Sequence, residues 1–286
     1  MCRILGSVGR YSSLKQYYSE LIRGLVGASE YDPYAARAFG PEESSHKDGW
    51  GRATVLAGMK KIAVYMYKSL SPIFVDKPQS TLPESELTRF SDPIVIDLLH
   101  ARAGSKGMPV NYFSVQPFEV QTRSGARLLL MHNGSVSKEE LARDLSSEVS
   151  EKITERYSDS YLLALKLAEL VEDDIDISVI KELKKYVKTA LNIGITLIAE
   201  GSMLAVFGSY YSRRLPREYH DYYRVYVAKV GEKDLIYASS TVVDFAEYRP
   251  KLVNSWEEIP NGTYYVVRIE LLRGGDAEIR LEKYSI

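Results

Sequence analysis

The only cysteine of this 286-residue chain is Cys2, one position from the initiator methionine. A cysteine that becomes a chain's first residue carries two reactive groups. Its thiol is a strong nucleophile, and its α-amine titrates at about pH 7.7–8.0, close enough to neutrality to take the thiol proton. Nucleophile and general base then reside in one residue. Cys2 is small, which predicts removal of Met1. The plain alternative is that Cys2, followed by Ile4 and Leu5, is a small apolar residue of a buried first strand.

Four other stretches bear on that choice. "DGWG" (48–51) ends a polar loop ahead of a strand-like run, and "HARAGSKG" (100–107) follows a buried one. "HNG" (132–134) follows another, and "SDS" (158–160) opens a helical segment. Each motif is short and weak alone. Taken with "MCRI", their order and approximate spacing resemble those of class II glutamine amidotransferase domains, members of the N-terminal-nucleophile (Ntn) hydrolase superfamily. The likeness covers essentially the whole chain. It is to the stand-alone branch, which includes γ-glutamyl hydrolases of thiol metabolism.

The resemblance implies a role for each matching residue. Cys2 would be the nucleophile. Arg102 would grip the α-carboxylate of a γ-glutamyl group, a task that suits a bidentate guanidinium; its plain alternative is a strand-end surface ion pair. Ser105 would help to hold the same carboxylate. Lys106 stands where synthase-type members have histidine, so no role passes to it. Asn133 and Gly134 would form an oxyanion hole of side-chain amide and backbone N–H. Asn-Gly is also a common turn dipeptide, and Asn261-Gly262 reads as a turn only. Asp159 would bind the α-ammonium, with Ser158 capping the helix and leaving Asp159 free. Gly49 and Trp50 would form pocket wall, although a tryptophan there is equally a core residue.

The elements that must position these residues read as follows. Residues 2–8 form a strand and 12–29 an amphipathic helix, with Leu14, Tyr17, Tyr18, Leu21, Ile22 and Leu25 at helical spacing. Two strands, 50–57 and 61–69, join through Gly58; 93–103 is a buried strand; and 117–134 is a hairpin turning at Ser124-Gly125. Ser137 with Glu140 is a capping-box pattern opening one helix, and further helices are expected over 158–171 and 178–190. Strands return at 191–200, 202–211, 222–230, 234–240, 263–272 and 277–286. The last alternates, with Ile279 and Leu281 inward and Glu278, Arg280 and Glu282 outward. Tight links at Gly201-Ser202 and Gly274-Gly275 predict antiparallel pairing. Helices between two blocks of strands predict an α+β layered domain. The resemblance sharpens this to a four-layer αββα sandwich, two antiparallel sheets between helical layers, over one domain at 2–286.

Composition sets the outer limits. Hydrophobic residues are 45% and charged residues 26%, ordinary for a globular domain with a sizeable core. Lys plus Arg (37) nearly cancel Asp plus Glu (38), so the net charge of −1 makes no case for nucleic acid or an anionic membrane. A lone cysteine excludes an internal disulfide framework and fits a reducing, cytoplasmic compartment. No secretory leader and no membrane span are expected. The four histidines lack metal-ligand spacing, so no metal or other cofactor is expected.

Three functions fit these residues. The first is cysteine-dependent hydrolysis of a γ-glutamyl amide, glutamine or a conjugated amine, through a γ-glutamyl thioester on Cys2. The second is a glutaminase that supplies ammonia to a separate synthase subunit. The third is a binding protein that keeps the fold without catalysis, against which the full set Cys2, Arg102, Asn133, Gly134 and Asp159 argues.

Overall fold

A computed structural model describes residues 2–58, 61–104, 107–108, 110–146, 151–272 and 277–286. The strands alternate between two sheets in blocks along the chain. β1 (Cys2–Arg10), β2 (Trp50–Gly58), β3 (Lys61–Ser69) and β4 (Ile94–Arg102) belong to the first sheet. β5 (Phe118–Gln121), β6 (Arg127–Asn133), β7 (Asn192–Ala199) and β8 (Ser202–Ser209) belong to the second. β9 (Val225–Lys229), β10 (Leu235–Ser239) and β11 (Glu257–Glu258) return to the first, and β12 (Thr263–Leu271) and β13 (Ala277–Ser285) to the second. The sheet orders are β11-β9-β10-β1-β4-β2-β3 and β13-β12-β8-β7-β6-β5, and their pairings are antiparallel.

The helices are α1 (Tyr11–Leu14), α2 (Tyr18–Glu30), α3 (Pro33–Phe39), α4 (Glu84–Leu87), α5 (Lys138–Asp144), α6 (Glu151–Arg156), α7 (Asp159–Leu170), α8 (Ile177–Leu183), α9 (Arg217–Tyr223) and α10 (Ser240–Asp244). Three apolar cores separate the layers. Ile4, Val8, Ile96 and Leu98 of the first sheet meet Leu129, Met131, Phe207 and Val267 of the second. Leu21, Ile22 and Leu25 of α2 cover the outer face of the first sheet, against Leu5 and Leu99. Leu162, Leu163 and Leu167 of α7 cover the outer face of the second, against Leu128 and Leu130. Each such side chain contributes about 1.5–3 kcal/mol by leaving water. The result is the αββα sandwich that the motifs implied.

Three boundaries differ from the sequence reading. The first helix breaks at Lys15, leaving α1 and α2. The helix expected over 178–190 stops at Leu183 and tightens into a 3-10 turn at Lys184–Tyr186. Tyr222 and Tyr223, read as the start of a strand, end helix α9. Helix α3 was not anticipated, although Asp32-Pro33 marks it. The Asp32 carboxylate accepts from Tyr34 N–H and Ala35 N–H at 3.0 and 3.1 Å, a cap worth about 1 kcal/mol. The Ser137 cap is present, with its hydroxyl accepting from Glu140 N–H. Gly274-Gly275 lies outside the described residues. Among the described residues, no helix is long and apolar enough to cross a membrane.

Candidate active site

Alternation along β1 puts Cys2, Ile4, Gly6 and Val8 on one face. Across the ladder they oppose Arg102, His100, Leu98 and Ile96 of β4. Ile4, Val8, Leu98 and Ile96 belong to the core between the sheets, so Cys2, His100 and Arg102 continue that face beyond its apolar part. Cys2 and Arg102 border a cavity of about 270 Å³ whose lining also includes Gly134 and Asp159, while His100 and Asn133 lie behind that lining. The structure thus gathers four residues that span 157 positions of sequence.

The Cys2 thiol is buried, with 7% of the residue exposed. Burial alone would push its pKa up; neighbouring groups, His100 foremost and Arg102 among them, outweigh it and hold the thiol well below its ordinary value. Both ring nitrogens of His100 are buried without a hydrogen-bond partner. The sequence reading missed His100. Its place two residues before Arg102, on the same strand face, was the available signal.

Arg102 is buried at the end of β4 and fixed by the preceding loop. Its N–H donates to the Gly49 carbonyl, its carbonyl accepts from Asp48 N–H, and its Nη1 reaches the Asp48 carbonyl at 3.4 Å. The Asp48 carboxylate also accepts from Gly104 N–H at 2.7 Å. Gly49 adopts φ +94°, and a Cβ there would sit 2.7 Å from the Ser69 carbonyl. Gly49 therefore positions Arg102 and does not line the cavity.

Trp50 requires a correction. It pairs with Ala101, whose side chain points to the opposite face from Arg102. Its fully buried indole packs in the outer core, beside Tyr67 and with Nε1 donating to Asp76. Trp50 is a core residue, and the cavity wall does not include it.

The facing wall comes from the end of β6. Leu129 and Met131 face the first sheet, and alternation sends Asn133 the same way. β1 packs directly on β6. Asn133 is fully buried, and neither its Nδ2 nor its Oδ1 has a hydrogen-bond partner. Gly134 follows with φ +153°, and a Cβ there would collide with the Ala190 carbonyl. Gln116 holds the strand end by accepting from His132 N–H at 2.7 Å and donating to its carbonyl at 3.3 Å. The His132 ring bridges to Ala190 O through Nε2 and to Ser160 Oγ through Nδ1. The carbonyl assigns the proton to Nε2, so Nδ1 accepts from Ser160. Burial pushes the His132 pKa down, in keeping with a neutral ring.

Asp159 lines the cavity from the first turn of α7. Its carboxylate accepts from Val136 N–H at 3.0 Å and Ser160 N–H at 2.9 Å. The expectation that Ser158 caps the helix and frees Asp159 fails. Ser158 makes no capping bond and its hydroxyl is buried without a partner, while Asp159 itself serves the helix start. Ser105 and Lys106 lie outside the described residues. Among the described residues, no three His, Cys, Asp or Glu side chains form a group that could hold a metal ion.

No protein-family profile and no curated protein matches the sequence. Solved structures do. The structure of the allosteric regulatory enzyme of purine biosynthesis superposes with a TM-score of 0.54 at 15% identity, over 100% of this chain and 49% of that one. Glutamine phosphoribosylpyrophosphate (PRPP) amidotransferase from B. subtilis, complexed with ADP and GMP, gives 0.51 at 14% identity, over 100% and 50%. The chain has the class II glutamine amidotransferase fold. It spans about half the length of those two chains. A glutamine aminotransferase class-II domain protein from Silicibacter pomeroyi superposes less closely, with a TM-score of 0.39 at 14% identity over 81% and 98%. Within the amidotransferase fold, the cavity opens where the ends of β1, β4 and β6 meet the start of α7.

Proposed function

We propose that the protein hydrolyses a γ-glutamyl amide, with Cys2 as N-terminal nucleophile after loss of Met1. The observation that carries this reading is Asn133, a fully buried amide without partners on the sheet face that meets the face of Cys2. A buried polar group left unpaired costs about 1–3 kcal/mol, and a developing oxyanion is a ligand that would relieve it. In this reading the α-amine takes the thiol proton and the thiolate attacks the γ-carbonyl. Asn133 and Gly134 stabilise the tetrahedral oxygen, and the amine leaves with a proton. Water then cleaves the thioester to release glutamate. Arg102 holds the α-carboxylate together with Ser105, and Asp159 the α-ammonium. No metal or cofactor takes part.

A second reading has Cys2 release ammonia from glutamine for a synthase subunit. The match to about half of a glutamine PRPP amidotransferase favours it.

The test uses protein shown by intact mass to begin at Cys2. It is incubated with glutamine and a panel of γ-glutamyl amines, and glutamate release is measured. Release is expected, with Cys2→Ala lowering kcat on the order of 10⁶-fold, the scale for losing a nucleophile. Wild-type rates in Cys2→Ala would overturn the proposal. Preference for glutamine over every conjugate would favour the ammonia-supplying reading.

A further inference from the structure

Cys2 N–H donates to the hydroxyl of Tyr222 at 2.8 Å, and the same hydroxyl donates to the Cys2 carbonyl at 3.0 Å. The two residues are 220 positions apart. The reason lies in the sheet. β1 pairs with β10 only from Leu5 to Val8, and β10 turns into α10 at Ser240. The ladder on that side therefore ends before Cys2. Ile4 N–H already relies on the Ser239 hydroxyl at 2.9 Å, and Cys2, one pleat further, receives a single phenol in place of a strand. One hydroxyl has one hydrogen and two lone pairs, enough to donate to the carbonyl and accept from the nitrogen at once.

Tyr222 is itself clamped. The residue is fully buried, and the Arg3 guanidinium lies 3.9 Å from its ring centroid. Its ring meets Phe39 and Tyr223 edge-on, each at 5.0 Å. Its carbonyl accepts from Arg3 Nη1 at 3.0 Å and from Ser240 Oγ at 3.2 Å. Arg3 in turn is paired with buried Asp32, which also accepts from Thr241 Oγ1 at 2.7 Å and meets His46 Nε2 at 2.8 Å. The hydroxyl is fixed from three elements, β1, α3 and α10.

We propose that Tyr222 is the positioning residue for the general base, its hydroxyl fixing the α-amine of Cys2 so that the nitrogen lone pair addresses the thiol. This rests on the reading of Cys2 as N-terminal nucleophile. Removal of Met1 turns the amide nitrogen into an amine that would otherwise rotate freely about the Cα–N bond. A single N–H held by Tyr222 stops that rotation. The amine then has two remaining directions, one for its second hydrogen and one for the lone pair. The proton leaves sulfur for that lone pair, giving thiolate and ammonium, and it returns to the leaving amine when the thioester forms. Tyr222 gains and loses nothing. Burial pushes its pKa well above the ordinary value, so it stays a neutral phenol and orients the base without competing for the proton.

Tyr222→Phe keeps the ring against Arg3 and Phe39 and deletes the hydroxyl. In protein that begins at Cys2, kcat should fall roughly 10–100-fold, with KM within about twofold of wild type. Alkylation by iodoacetamide, which can report only on Cys2, should slow at least about threefold at pH 7. A residue that merely supports the fold would lower the thermal midpoint and leave kcat per folded molecule intact. Unchanged kcat and alkylation rate in folded Tyr222→Phe would overturn the proposal. If that variant does not fold, 3,5-difluorotyrosine at position 222 decides. It weakens the oxygen as an acceptor, so kcat should fall several-fold, and an unchanged kcat refutes the role. Wild-type protein that releases no glutamate from any γ-glutamyl amide would refute the proposed activity, while the alkylation arm still judges Tyr222.

Discussion

The chain contains the dipeptide Asn-Gly twice, and the structure puts the copies to different uses. Asn261 precedes β12 and closes both ends of its amide on one residue, accepting from Tyr211 N–H at 2.9 Å and donating to its carbonyl at 2.8 Å. Gly262 follows with φ +88° and donates to the Ser209 carbonyl at 2.7 Å. Asn133 has the same atoms, deeper burial and no partner for either end. Sequence chemistry is identical; the difference is what the surrounding backbone offers. A turn residue satisfies itself on the chain, whereas Asn133 is kept open at a cost the fold must absorb.

Three substitutions sharpen or break this contrast. Asn133→Ala removes an amide that stabilises nothing in the resting protein. It should lower kcat by roughly 10²–10³-fold, about 2.7–4 kcal/mol, while the thermal midpoint holds. Steady-state kinetics beside calorimetry read both, and a midpoint that drops with kcat intact would make Asn133 a second turn residue. Asn261→Ala should do the reverse. It strands the Tyr211 backbone groups, so denaturant unfolding should show a loss of about 1–3 kcal/mol with kcat unchanged. The smallest effect is expected at Gly262→Ala. The left-handed conformation and the Ile286 carbonyl, 2.9 Å from the new Cβ, should cost about 1–2 kcal/mol, again without a change in kcat. A kinetic defect in either turn variant would erase the distinction.

Much of the fold was legible because its strands are apolar runs, such as the fully buried β4, that end in punctuating residues, and because β13 alternates. β2, β3, β6 and β13 begin and end within about a residue or two of where patterning placed them. The motifs Arg102, Asn133, Gly134 and Asp159 were legible because each sits where an element starts or stops. Trp50 was not. Motif proximity does not reveal side-chain parity, and the register with Ala101 turns the indole away from the cavity. Tyr222 and Tyr223 misled in another way. Paired aromatics favour strands, yet packing against α3 makes them the last turn of α9. No local pattern could have joined Tyr222 to Cys2, since the bond depends on where β10 ends. The orphaned amide of Asn133 became visible only through its surroundings.

The position of β1 also sets a schedule. Cys2 begins a strand whose ladder with β4 starts at Cys2 itself, while its nitrogen is held on the other side by Tyr222, so that nitrogen is enclosed once β4 and Tyr222 are in place. On the proposed reading, an aminopeptidase must reach Met1 while that strand is still bare. β4 is complete only at Arg102, about 100 residues later, and at roughly 5–20 residues per second its synthesis takes about 5–20 s. On that reading the chain's first residue is decided during translation, in the seconds before the sheet around it exists.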